Sequence, residues 1–225
     1  MLRLAFACSL LALTAAAPPK PDWTRTVATT ATGWQIGNPK APRRLVEYLS
    51  LNCPHCAEVS KELGPELRAA VLSGRMSWEI RPMGLFPHDA PAVFLARCVQ
   101  PGRRLEFIEA YFGESASFTG RLQAAQATAA GVGKLREAAE RDTGSLAVAV
   151  ADLAGMKPLA ARFGLTGAGY DRCLRDPAAS AWFGETHRRA GQSGVSGTPT
   201  FFVDGRRLSF RSMDELRSAI FAARP

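Results

Sequence analysis

Cys53 and Cys56 are the residues best suited to chemistry, standing three positions apart at the end of Leu45-Val46-Glu47-Tyr48-Leu49-Ser50-Leu51-Asn52-Cys53-Pro54-His55-Cys56. An apolar run stops just before them and a helical pattern begins just after, which places Cys53 at a helix N-terminus. Free backbone N–H groups and the positive end of the helix dipole favour an anion there. A thiolate is such an anion, so the position should lower the thiol pKa and raise its reactivity. Pro54 fits the first helical turn, where its missing N–H costs nothing. His55, if cationic or donating a hydrogen bond, would favour the same thiolate. The stretch reads as a thiol–disulfide redox centre.

Other uses of a Cys-x-x-Cys pair fit less well. Zinc needs four ligands, usually from a second close pair. The remaining candidates, Cys98, Cys173, His88 and His187, are scattered along the chain. Covalent haem attachment needs histidine directly after the second cysteine, and Ala57 is there instead. A structural disulfide is the remaining alternative.

The compartment bears on all of this. Arg3 precedes an apolar block from Leu4 to Ala17, closed by Pro18-Pro19-Lys20-Pro21. That is the layout of a secretory signal peptide, residues 1–17, with cleavage among Ala15, Ala16 and Ala17. Cys8 lies inside the block and would be removed with it. The exported chain then carries Cys53, Cys56, Cys98 and Cys173, and an even count in an oxidising compartment suggests disulfides. With the first two as the redox pair, Cys98 and Cys173 are left to form a bridge or to stay as two buried thiols.

A chain of 225 residues can bury a full core, and its 47% hydrophobic and 21% charged content is that of an ordinary globular protein. The net charge of +8 is spread over single or paired arginines, as at Arg43-Arg44, Arg103-Arg104 and Arg188-Arg189. No basic run interleaved with aromatics points to nucleic acid.

Several elements must position the pair. Residues 18–35 read as an extended N-terminal arm, and a buried strand runs from Leu45 to Leu51. A helix over 54–73 shows Val59, Leu63, Leu67 and Val71 on one face, with a kink expected at Gly64-Pro65 and a stop at Gly74. Met76–Pro82 reads as a strand. From His88 the chain turns to Ala-rich helical segments: one opening at Asp89-Ala90-Pro91, one through Leu105–Phe112, and weaker ones near 120–130, 134–141 and 145–154. Cys173 lies in another, and Asp176-Pro177 caps the last. Thr200–Val203, a tight turn at Asp204-Gly205 and a return strand from Arg206 to Phe210 form a hairpin. Ser212-Met213-Asp214-Glu215 is a capping box opening the final helix. This order suits an α/β sheet with helices on both faces.

With Gly197-Thr198-Pro199-Thr200-Phe201-Phe202-Val203-Asp204-Gly205 near the C-terminus, the Cys53-Pro54-His55-Cys56 motif resembles the DsbA-type thiol:disulfide oxidoreductases of the thioredoxin superfamily. The resemblance covers about residues 33–225. It implies a thioredoxin fold, a central mixed β-sheet flanked by helices, built from residues 36–87 and 186–225, with a large inserted α-helical domain at 88–185. Cys53 would be the exposed nucleophile and Cys56 its buried partner, with His55 tuning the thiolate. Pro199 would be the proline held cis opposite the pair, and Thr198 would offer its backbone to an extended substrate. Glu47 would be the buried acid that handles protons for the inner cysteine; strand facing is not readable from sequence, and an edge-facing surface charge is its alternative. Cys98 and Cys173 resemble a second pair found in the insertion of some relatives.

The resemblance further implies a periplasmic, monomeric oxidase that needs no cofactor, acts on reduced exported proteins, and is reoxidised by a membrane quinone-linked partner. The best-known oxidases often carry valine where Thr198 stands, and isomerase and reductase relatives threonine, so a disulfide reductase or isomerase on the same fold is the nearest alternative. A non-enzymatic peptide-binding or chaperone module is another.

Overall fold

The structure, a computed structural model, describes residues 21–222. The signal-like segment 1–17, with Cys8, lies outside the described residues. Six strands form one sheet: β1 (Val27–Thr29), β2 (Trp34–Gly37), β3 (Arg43–Leu49), β4 (Met76–Pro82), β5 (Thr200–Val203) and β6 (Arg206–Arg207), in the order β1-β2-β4-β3-β5-β6. The β3–β4 pair is parallel and the others antiparallel. A mixed sheet needs a crossover between its parallel strands, and α1 (Pro54–Leu72) supplies it.

Centrality explains the composition of β3. From Leu45 to Leu49 every residue is buried, as expected for a strand covered on both faces. Leu45 and Leu49 belong to the main core with α1, whereas Val46 and Tyr48 pack on the other face with Met83, Ala190 and Val195. The alternation therefore turns Glu47 into the main core.

Helix α1 continues unbroken through Pro65. Pro65 is exposed, so the carbonyl it deprives of a partner can be met by solvent. Gly74 follows the helix with φ +75°, and a Cβ there would come within 2.9 Å of the Trp23 indole nitrogen. Glycine is required by both the backbone and the space.

Between β4 and β5 lie α2 (Asp89–Cys98), α3 (Arg104–Gln126), α4 (Ala129–Arg141), α5 (Thr143–Ala154), α6 (Lys157–Arg162), α7 (Gly167–Leu174) and α8 (Pro177–Gln192). The expectation of a thioredoxin fold with a helical insertion holds. A disulfide joins Cys98 at the end of α2 to Cys173 in α7, with a Cα–Cα distance of 5.9 Å. Buried Arg104 donates to the carbonyls of Ala96, Arg97 and Val99, a cation closing the C-terminal end of α2.

Several boundaries differ from those read in the sequence. The arm is docked: over its described part it forms a short 3-10 turn (Trp23–Arg25), β1 and the start of β2. The helices expected at 105–112 and 120–130 are one helix, α3, whose buried face continues through Ser115, Phe118 and Leu122. Helix α8 crosses the expected boundary at 185/186 without a break, from Phe183 in the main core to Ala190 on the opposite face. The return strand β6 is two residues long, and Phe210 beyond it packs edge-on against Phe201 instead. In the capping box Ser212 accepts from the Glu215 amide, but the Glu215 carboxylate accepts from the Arg211 amide, one residue before the cap. That box opens α9 (Met213–Phe221).

Candidate active site

The turn between β3 and α1 sets the reactive cysteine. The Cys53 amide donates to the Ser50 carbonyl at 3.2 Å, and Cys53 takes the N-cap position of α1 with Pro54 in the first turn. Both Cys53 and Cys56 are free thiols, and Cys56 is fully enclosed where Cys53 retains 6% exposure. The Thr198–Pro199 peptide bond is cis. It brings the loop before β5 against the pair: the Cys53 Sγ donates to the Thr198 carbonyl at 3.4 Å. The Thr198 hydroxyl is buried without a hydrogen-bond partner of its own.

These surroundings split the two thiols. The Cys56 side chain, by hydrogen bonding the Cys53 sulfur, does most to lower the Cys53 pKa. Burial opposes it, but the Thr198 side-chain hydroxyl and the backbone amides of Cys56 and His55 add to it, and the outcome is about 5. Burial pushes the Cys56 thiol far up, and the neighbouring Cys53 and Glu47 push the same way. The outer sulfur is therefore the one that ionises readily, giving up the proton it directs at the Thr198 carbonyl, while the inner one stays a thiol.

His55 contributes through its backbone. Its ring is 78% exposed and lies 3.6 Å from the Glu58 carboxylate, one turn along α1. Its amide adds to the lowering of the Cys53 pKa, a contribution that any non-proline residue at this position would supply.

Glu47 is 2% exposed. It accepts one hydrogen bond, from the Trp78 indole N–H at 3.1 Å, and burial pushes its pKa up to about 8 against that bond. Glu79 on the neighbouring strand shows the opposite outcome. Burial pushes it up too, but Arg81, Arg44 and Thr32 outweigh that and hold it at about 2. One indole N–H cannot replace two guanidinium groups.

The Glu47 shift carries a stability consequence. Its folded pKa of about 8 exceeds the ordinary 4.5, so the folded state keeps a proton that the unfolded chain releases. Its stabilising contribution is complete below pH 4.5, declines as the pH rises to 8, and then stays low. The decline has an upper bound of roughly 5 kcal/mol. Denaturant unfolding of the oxidised protein, in which neither redox cysteine titrates, should show this slope, and Glu47→Gln should flatten it.

The pattern of residue types missed a second buried cluster. Asp89, fully buried, accepts from the Ser50 hydroxyl (2.8 Å), the Asn52 side-chain amide (2.8 Å) and backbone N–H (3.3 Å), and the backbone N–H groups of Leu85 and Phe86 (both 2.8 Å). Tyr111 of α3 donates to the Asn52 side-chain oxygen at 2.9 Å. The carboxylate thus ties the turn that presents Cys53 to the loop after β4 and to two helices of the insertion. Asp89 was legible only as the opening of α2, a role open to any acidic first-turn residue. Among the described residues no group of three or more His, Cys, Asp or Glu side chains is placed to hold a metal ion.

The thioredoxin family profile matches residues 29–222. A protein-disulfide isomerase structure from Novosphingobium aromaticivorans superposes with a TM-score of 0.72 at 31% identity, over 84% of this chain and 95% of that one. Wolbachia pipientis alpha-DsbA1 superposes with a TM-score of 0.59 at 21% identity, over 80% of this chain and 79% of that one, which shows a shared fold. A Rickettsia prowazekii protein provisionally named a protein-disulfide oxidoreductase is 28% identical over 187 residues, 82% of this chain, and the match spans 59% of that relative's length. Family profile, fold and the placement of Cys53, Cys56 and cis-Pro199 agree: the chain belongs to the thioredoxin family, with the fold of its DsbA-type members.

Proposed function

We propose that this protein is an exported thiol:disulfide oxidoreductase that introduces disulfides into other proteins. The observation that carries the reading is the depressed Cys53 thiol, at about 5, beside an enclosed Cys56 whose thiol is pushed up. A substrate thiolate attacks Cys53 of the oxidised pair; its electron pair forms the mixed disulfide, and the Cys53–Cys56 bond breaks with Cys56 leaving. Cys56 takes a proton, for which Glu47 is the adjacent acid. A second substrate thiolate then attacks the substrate sulfur of the mixed disulfide. Cys53 leaves as a thiolate, and the substrate keeps the new disulfide.

The energetics favour this direction. Stabilising the Cys53 thiolate stabilises the reduced protein, which makes its disulfide the stronger oxidant. Each pKa unit is about 1.4 kcal/mol, or roughly 30 mV for a two-electron couple. The signal-like residues 1–17 support action in the periplasm, where a reduced pair would need reoxidation by a membrane quinone-linked partner.

Catalysed oxidative refolding of a reduced protein is the direct test, together with the reduction potential of the pair. Alkylation of Cys53 should show a midpoint near pH 5. A potential as negative as about −270 mV, that of thioredoxin, would overturn the oxidase direction. Isomerisation is the second reading, favoured by the similarity to a protein-disulfide isomerase. Recovery of activity by a scrambled protein in the absence of net oxidation would select it.

A further inference from the structure

The proposed exchange moves a proton on and off Cys56 in each cycle, while substrate covers the groove at Thr198–Pro199. The proton therefore needs another way to solvent. Glu47, the adjacent acid, has Trp78 as its hydrogen-bond partner, and a cavity of about 10 Å³ lies against it, lined also by Ser60, Glu109 and Phe112. That volume is at the lower limit for one water, and in a mostly apolar wall Glu47, Ser60 and Glu109 are, with Trp78, the residues whose side chains carry polar atoms.

Ser60, Glu109 and Phe112 have a second face. They also line an open cleft of about 770 Å³ between α1 and α3. One layer of three side chains thus separates the cavity at Glu47 from bulk solvent, and two of them can carry a proton. The exposed Pro65 and the side-chain-free Gly64 form part of the same cleft wall.

We propose that Glu109, with Ser60, carries protons between Glu47 and solvent, so that the seam between α1 and α3 is the proton entrance of the redox site. This rests on the reading that Glu47 serves Cys56. When Cys56 leaves as a thiolate it takes the Glu47 proton, and the Glu47 carboxylate regains one through the small cavity from Glu109, which refills from acid in the cleft. On reoxidation the Cys56 proton leaves by the same path. No electrons pass through these groups.

The surroundings of Glu109 suit the task. Arg68 holds its carboxylate with two hydrogen bonds, at 2.8 and 3.3 Å. Burial nevertheless raises its pKa, and Glu106 one turn earlier on α3 raises it further. Lys61, Glu58 and Glu62 of α1 also line the cleft, while Cys53 at the N-cap and Cys56 in the first turn of α1 are the titratable neighbours of Glu47. Glu109 acts through Glu47 and is a positioning residue.

Single-turnover reaction of the full chain with a dithiol peptide, run in both directions at low buffer concentration, tests the route. Glu109→Gln should slow the step that protonates or deprotonates Cys56 by about tenfold or more, with the reduction potential unchanged. A small carboxylic acid buffer should restore the rate, which it would not do for a merely structural defect. Ser60→Ala should show a smaller version of the same effect. A wild-type rate in Glu109→Gln, or a slow rate that buffer does not rescue, would overturn the route. Unchanged kinetics in Glu47→Gln would overturn it by removing its destination. Measuring both directions keeps this result separate from the oxidase assignment, because the proton moves whichever way the electrons flow.

Discussion

Replacing Cys56 by serine is expected to abolish turnover while leaving Cys53 reactive. Without the inner sulfur no intramolecular disulfide can form, so the variant has nothing to pass to a reduced substrate. Cys53 can still attack a substrate disulfide, and the resulting mixed disulfide has no Cys56 to release it. Adducts that vanish on reduction should accumulate on a non-reducing gel. Cys53→Ser should give neither adducts nor turnover. A third variant separates chemistry from electrostatics: the Cys56 side chain is the largest cause of the low Cys53 pKa, and Cys56→Ala removes its hydrogen bond. The alkylation midpoint should rise by about one to two pH units. An unchanged midpoint would leave Thr198 and the helix amides as the main source of the depression.

Asp89→Ala is expected to be the most destabilising single change near the site. It removes the acceptor from donors on Ser50, Asn52, Leu85 and Phe86 at a fully buried position. Unmet buried donors and lost hydrogen bonds to a carboxylate together should cost about 3–5 kcal/mol, measured by denaturant unfolding. Asp89→Asn keeps the volume and one acceptor oxygen, but its amide group must face either the Ser50–Asn52 donors or the Leu85–Phe86 donors, so its cost should be smaller. In both variants the amides of residues 50–53 should exchange faster. The Cys53 alkylation midpoint should also rise, because the turn that holds the sulfur at the start of α1 has lost its anchor. A stable variant with an unshifted midpoint would show that the turn is held by its own backbone bond from Cys53 to Ser50.

What could be read before the structure depended on how local the signal was. Cys53, Pro54 and Cys56 announce themselves because a nucleophile, a helix-opening proline and an apolar run are neighbours in sequence. The strand at Met76–Pro82 and the hairpin turn at Asp204-Gly205 were local patterns too. Glu47 needed more, since its burial follows from β3 lying between β4 and β5 and from the side it faces. His55 is a different case: its type suggests chemistry through the ring, while the structure shows an exposed ring beside Glu58 and an amide that acts on Cys53. Asp89, Asn52 and Tyr111 were invisible for a physical reason. Their hydrogen bonds join residues 37 and 59 positions apart, and no spacing rule links them. Gly113, Ser115 and Gly120 weaken the apolar pattern of α3, so its sequence resembles two segments, although the burial of its inner face runs on through Ser115, Phe118 and Leu122.

The Cys98–Cys173 bridge gives the molecule a covalent shape that its linear order conceals. It turns the stretch between two cysteines 75 positions apart into a ring, from which two tails emerge. One tail carries Cys53 and Cys56, the other Thr198 and Pro199, and the groove is assembled where the tails meet. Most of the helical insertion lies within the ring. A backbone break anywhere in that ring, in a loop between α3 and α6 for instance, therefore leaves both halves of the site on one covalent molecule. The redox pair and the cis-proline loop that faces it stay tethered through a bond of the same kind that the pair is proposed to make in others.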